Sequence, residues 1–416
     1  VAGSVYTFTA NDGTVAVFRP VSASECSSAF NCGTVSQISY ADGTRFNFEY
    51  DSGSGVKRLR SVVSNRGYAL LLQYGSGGDT NHVTSACVIN LSVQPKPANN
   101  TCPATPQASA SYAYTTLGTA RRLASAIDAA GGTWGFGYAS VANGFTMAFT
   151  RPGEATAWLT NTVWQRLTMD ALDEIVTHQA FADGATYSYS YDTSPLVEGE
   201  IPQIAGGSYV DPAGSTVEIR YAFPAMPNSF NPPRVNSMGY PYVNYGDVIF
   251  QITPGPVEIV DALGRTSTID YCDPAPTQGC LVRPMPVSFT SPEGIETELL
   301  YDLTTRLLGQ SRQNAEPGSA LADIVQSWTY NCLPSTMPIC NRPTSHTDAN
   351  GNVTTYSYNV VHGGLLAETG PAVNGVAPQT RHAYAQRYAW ISNGSGGYVQ
   401  AATPIWLRTE TSACRT

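Results

Sequence analysis

Residues 261–272 read DALGRTSTIDYC. Taken alone, Asp261 close to Arg265 would suit a catalytic loop. Taken as one copy of a repeat, the same residues form a turn and then a strand. Asp261 and Gly264 stand first and fourth, the signature of a type I turn: the short carboxylate hydrogen-bonds the turn amides, and glycine accepts a positive φ. Ile269 and Tyr271 then alternate with Thr268 and Asp270, as on a strand with one apolar face.

The rest of the chain decides for the repeat. Tyr follows Gly by seven residues at Gly33, Gly43, Gly67, Gly131, Gly184, Gly214, Gly264, Gly294 and Gly351, giving Tyr40, Tyr50, Tyr74, Tyr138, Tyr191, Tyr221, Tyr271, Tyr301 and Tyr358. Roughly two such pairs are expected by chance for this Gly and Tyr content, so nine is a signal. Five residues after the Gly, every copy carries a large apolar or aromatic side chain, from Ile38 and Phe48 to Leu299 and Tyr356. The flanking positions are mostly polar, as with Asn47 and Glu49 or Ser188 and Ser190. A period of two is a strand; a helix would need apolar residues three and four apart.

Turn chemistry opens the copies. Asp128, Asp211, Asp261 and Asp348 lie three before Gly131, Gly214, Gly264 and Gly351, and Ser64 and Ser291 hold that place in two more. The expected fold is all-β: antiparallel hairpins in one continuous array over 1–416, with little or no helix. Gly-, Pro- and Asn-rich stretches at about 75–111, 192–210 and 222–256 are expected as loop insertions. VWQRLTMDALDEIV (163–176) is the best helical candidate, but its DALDEIV matches DALGRT with Asp for Gly, which favours a hairpin.

Charged residues are 13 % of the chain, against about a quarter in a typical soluble domain, and Tyr, Gly, Ser and Thr replace them. With a net charge of −9 and only Lys57 and Lys96 as lysines, nothing forms a basic stripe, so nucleic acid is set aside as a partner. No apolar run approaches the ~20 residues of a membrane-spanning helix. No basic-then-apolar leader or initiator Met opens the chain at Val1, and an excised or mature piece of a longer precursor is expected.

The nine cysteines fall as close pairs, Cys26/Cys32, Cys87/Cys102, Cys272/Cys280 and Cys332/Cys340, with Cys414 left over. None forms CxxC, so zinc is disfavoured. Four stapled loops in an oxidising compartment is the reading adopted, with free thiols as the alternative. Cys414 is the candidate for a bond between chains. YCDPAPTQGCLVRP (271–284) and YNCLPSTMPICNRP (330–343) look like one stapled loop used twice.

With its repeats laid out, the chain resembles the Rhs/YD-repeat family. The resemblance rests on YDSGSGVKRLRSVVSNRGYALLLQY (50–74), YTTLGTARRLASAIDAAGGTWGFGY (114–138), YDLTTRLLGQS (301–311), DALGRTSTIDY and DANGNVTTYSYN (348–359), over about residues 30 to 360. It implies a long antiparallel sheet wound spirally into a shell or tube. The Asp-Pro-x-Gly-Leu boundary that precedes released toxins in that family has no copy here; DPAG (211–214) lies mid-chain before Ser215.

No GxSxG, HExxH, P-loop or EF-hand motif appears. His82, His178, His346, His362 and His382 read as surface or loop residues, and the Asp170, Asp173 and Glu174 cluster as a solvated turn rather than a Ca²⁺ site. The expectation is a protein that is not an enzyme, without metal or cofactor. It would be secreted and self-associate through open β edges into an extracellular filament or surface layer, with copies of itself or neighbouring segments of a larger precursor as partners. A segment of a shell that encapsulates or delivers a toxin is the alternative; a carbohydrate-binding adhesin, with glycan on Tyr faces, is the third.

Overall fold

The computed structural model describes residues 5–21, 33–53, 56–167, 172–192, 206–222, 234–235, 241–245, 248–251, 255–271, 285–302, 304–316 and 318–414. Most strands join one 27-stranded antiparallel sheet. Its order follows the sequence: Val15–Pro20 pairs with Tyr6–Thr9 and with Gly33–Ser39, and Val56–Ser64 with Arg45–Gly53 and Tyr68–Tyr74. Two small sheets leave this meander, one of three strands between Arg234 and Gln251 and one of Trp390–Ser392 with Tyr398–Gln400. The chain divides into two compact units, Val1–Trp134 with Trp328–Thr416 and Gly135–Ser327. The 163–176 segment is strand at both ends, Leu159–Leu167 pairing with Leu172–Phe181.

All three expected loops hold strands. Val83–Asn90 lies within 75–111, Gly206–Val210 within 192–210, and the three-stranded sheet within 222–256. The reason is local: Cys87 and Ile89 are 1 % and 0 % exposed and belong to a core, but the Gly, Pro and Asn around them outweigh their alternation.

The turns share one mechanism with two variants. The Gly264 N–H donates to Asp261 O and the Asp261 N–H to Arg265 O, both at 2.9 Å, closing a three-residue hairpin loop with Gly264 at φ +75°. Asp261 Oδ1 accepts the N–H groups of Leu263 and Arg265. Asp128, Asp211 and Asp348 do the same for their own turns. In the second variant the carboxylate stands just before the Gly: Asp12, Asp42 and Asp183 each accept the N–H two residues on.

A β-bulge faces the Tyr in many copies. Glu49 faces Ser61 and Tyr50 faces Leu59, so Arg60 is one residue too many. The ladder shifts likewise just before Tyr74, Tyr114, Tyr221, Tyr301, Tyr358 and Tyr384. The Tyr faces a Leu at Leu59, Leu123, Leu308 and Leu365. An extra residue leaves ladder groups unpaired and bends its strand. The hydroxyls of Ser36, Thr84, Thr177 and Thr409, each the extra residue of its bulge, donate to the facing carbonyls of Val17, Gln73, Thr162 and Ala383. Tyr hydroxyls take other carbonyls at the bulges: Tyr74 donates to Leu59 O at 2.9 Å, Tyr114 to Val83 O at 2.7 Å and Tyr191 to Val176 O at 2.6 Å.

In the first unit full burial lies on the other face. In Tyr68–Tyr74, Ala69 and Leu71 are 1 % and 0 % exposed, whereas Leu70, Leu72 and Tyr74 on the repeat face are half-buried. Ala69 and Leu71 pack with Cys87, Ile89 and Leu91, against Val63, Cys102 and Ile391, beneath the loop that the Cys87–Cys102 disulfide closes. In the second unit the buried Phe145, Leu159 and Val163 lie on the repeat face, in register with Phe136 and Tyr138. Among the described residues only twelve hydrophobic side chains are buried, too few for a second layer packed along the sheet.

Candidate functional site

The opening loop is not a reactive centre. Asp261 and Arg265 form an exposed ion pair at 2.7 Å, and Arg265 also reaches Glu293 on another turn at 3.2 Å. The Arg265 backbone N–H and guanidinium hold the Asp261 carboxyl below its ordinary pKa. Hydrogen bonds to turn amides do the same for Asp128 and, behind the Asn352 side chain, for Asp348.

The repeat tyrosines make the most extended feature of the chain. Tyr50, Tyr74, Tyr191, Tyr271, Tyr301 and Tyr358 are half-buried, and burial raises each phenol. Tyr138 sits 6.1 Å from the Phe145 ring. Tyr221 faces Pro256 across a bulge. Tyr40 departs from the pattern: Gly33 starts the strand Gly33–Ser39 rather than a turn, so Tyr40 opens the next turn and is 42 % exposed.

In the second unit the aromatic face becomes continuous. Phe181, Tyr187, Tyr209 and Tyr189 follow one another with ring centroids 6.0–6.5 Å apart. The strands Thr186–Asp192, Gly206–Val210 and Thr216–Ala222 frame a cavity of about 450 Å³ there, lined by Tyr189, Tyr191, Tyr209, Tyr221, Val217 and Ile219. Alternation puts these residues on one face, with Ser188, Ser190, Glu218 and Arg220 on the other.

In the first unit, turn tips dock on distant chain. The Asn341 N–H donates to Asn11 O at 3.1 Å, the Trp406 N–H to Asp42 O at 2.7 Å, and Asn65 Nδ2 to Thr403 Oγ1 at 3.0 Å. The fit is close: a Cβ on Gly13 would lie 2.9 Å from Pro338 Cα, and one on Gly43 2.6 Å from Pro404 O. A polar cavity of about 360 Å³ lies at this seam, lined in part by Asp12, Asp42, Arg66, Arg342 and His362. His362, expected as a surface or loop residue, lies in a turn but is only 4 % exposed; Trp406 stacks on it at 4.6 Å and Tyr384 lies at 4.7 Å. Burial, reinforced by Arg342, pushes its pKa down.

Cys87 with Cys102 and Cys332 with Cys340 form disulfides, and Cys414 is an exposed free thiol at the end of Ile405–Cys414. Cys26, Cys32, Cys272 and Cys280 lie outside the described residues, as does Asp170. No group of three or more His, Cys, Asp or Glu is placed to hold a metal ion among the described residues. Among the described residues, no helix is long and apolar enough to cross a membrane.

The geometry thus defines an all-β protein built on one long hairpin sheet with an aromatic repeat face. No protein-family model and no curated protein matches the chain. Among solved structures it is similar to the crystal structure of TcdB2-TccC3-TEV, at 10% identity and a TM-score of 0.24, over 90% of this chain and 22% of that one. It is also similar to a porin-like protein from Bacteroides uniformis, at 10% identity and a TM-score of 0.16, over 74% of this chain and 94% of that one. This chain spans about a fifth of the length of the first of these.

Proposed function

We propose that the chain is a secreted, non-catalytic structural protein of the YD-repeat type, and that its sheet is part of the wall of a shell enclosing another polypeptide. The observation that carries this is the half-burial of the repeat face. A sheet in an ordinary domain buries an apolar face beneath a second layer. Here Tyr, Leu and Ile of the repeat remain half-buried along the described strands; in the first unit full burial falls on the opposite face, beneath the disulfide loop, and in the second it is confined to a patch around Phe145, Leu159 and Val163 on the repeat face. A wall with an aromatic inner lining accounts for that half-burial. The turn tips of the first unit support it too, since a wound sheet brings its hairpin ends onto chain hundreds of residues away.

Self-association into a filament is the second reading. Among the described residues, Ile405–Cys414 pairs only with Gln379–Arg387, leaving an edge for β-augmentation, and Cys414 could lock such a contact. Against it, the Trp406 N–H is already taken by Asp42 O. Electron microscopy of the purified chain separates the two. Discrete particles with a thin curved wall, unchanged with concentration, are expected; filaments that lengthen with concentration would overturn the shell reading.

A further inference from the structure

In the first unit a cavity of about 170 Å³ lies where Arg45 and the turn at Ser64–Asn65 meet residues 401–403. Arg45 lines it with a buried Nε that has no hydrogen-bond partner, and no carboxylate pairs with this guanidinium among the described residues. Glu49, further along the same strand face, is held by Lys96 and Ser61. A partly buried cation without an anion is costly, and its unpaired donor calls for a ligand.

The polar groups around Arg45 sharpen the chemistry. Asn47 Oδ1 accepts from Gln37 Nε2, Ser64 Oγ from the Arg66 N–H, and Thr403 Oγ1 from Asn65 Nδ2. Each of those oxygens already accepts one hydrogen bond. Asn47 Nδ2 and the Ser64 and Thr403 hydroxyl protons have no partner among the described residues, so donors are what the cavity offers. The remaining wall is apolar, with Val63, Leu91 and Ile391 opposite. The volume is enough for a short branched acid.

We infer that this cavity binds a small aliphatic monocarboxylate, its carboxylate on Arg45 and its alkyl end against Val63, Leu91 and Ile391. The guanidinium supplies the charge-assisted hydrogen bonds, and the apolar wall rejects bare inorganic anions. An occupant bridges the strand that begins at Arg45 to residues 401–403 and tightens the docking there.

Isovalerate is the probe, followed on the intact chain by ligand-observed saturation-transfer NMR and by amide exchange at 401–403. Saturable binding with added protection at 401–403 is expected, with isovaleramide, which lacks the charge, about ten- to hundredfold weaker. Arg45→Gln should lose the same factor for isovalerate; the comparison of acid with amide on the wild-type chain needs no variant and stands if that variant does not fold. Equal binding of acid and amide, or no saturable binding of the acid, would overturn the assignment. So would equal protection by chloride, which would mark an adventitious ion only. A short peptide ending in a leucine carboxylate tests the other source of the same chemistry: binding as tight as isovalerate would overturn the assignment to a free small acid.

Discussion

Leu71 and Leu72 are adjacent residues that report on opposite faces of the sheet. Leu71 is 0 % exposed in the core beneath the Cys87–Cys102 loop; Leu72 is half-buried on the repeat face. Leu→Ala removes three carbons, about 2.4 kcal/mol of transfer at ~0.8 each. At Leu71 the enclosed void adds to this, for a total of about 3–5 kcal/mol. At Leu72 the transfer loss is partial and no enclosed void forms, so about 1.5–2 kcal/mol is expected. Urea unfolding of each variant, followed by circular dichroism, measures the difference, provided the slope with denaturant is unchanged. A cost for Leu72→Ala equal to or above that for Leu71→Ala would mean that the repeat face is packed beneath another layer, and the wall account would fail.

Further outcomes follow from the seam and the staples. Gly264→Ala meets open space and loses only the left-handed backbone preference, about 1–2 kcal/mol; Gly43→Ala adds a clash with Pro404 O and should cost roughly 1–3 kcal/mol more, read from paired thermal melts. Removing the Cys87–Cys102 disulfide with paired serines frees a link between residues 15 apart, which costs about 3 kcal/mol; the Cys332–Cys340 link, 8 apart, costs about 2.5 kcal/mol. His362 is held neutral because burial depresses its folded pKa below the ordinary 6.5, so the unfolded chain binds the proton first as pH falls. Its stabilisation is therefore complete above pH 6.5 and declines below it, towards the folded pKa. The carboxylates of Glu49, Asp128, Asp261, Asp302 and Asp348 are shifted down from 4.5 or 3.8 and lose their contributions at more acid pH. His362→Phe keeps a ring between Trp406 and Tyr384 and should flatten the fall that begins at pH 6.5. An unchanged pH profile would remove His362 as its cause.

Much of the architecture was legible because it rests on local chemistry. Asp128 with Gly131, and Asp348 with Gly351, announce turns through side-chain geometry that needs no tertiary context, and Tyr187, Tyr189 and Tyr191 declare a strand by alternation alone. The same logic misled at Gly33, where the spacing to Tyr40 matched and the turn did not exist. It passed over Gly13, whose turn uses Asp12 and whose seventh residue is Pro20. Burial was the larger gap. Alternation shows that Leu70 and Leu72 share a face but not which face is covered; Leu71 is buried only because Leu91, Cys102 and Ile391 come over it. The seam was invisible for the same reason, since nothing near Asp42 in sequence points to Trp406. The Arg45 cavity depends on residues more than three hundred positions away.

The central claim is that the repeat tyrosines line an uncovered inner face. Hydroxyl-radical footprinting read by mass spectrometry tests it residue by residue, with Leu71, 0 % exposed on the opposite face, as the buried reference. The account predicts graded, intermediate oxidation at Tyr189, Tyr191, Tyr301 and Tyr358, well above that of Leu71. Protection of those four to the level of Leu71 would contradict it.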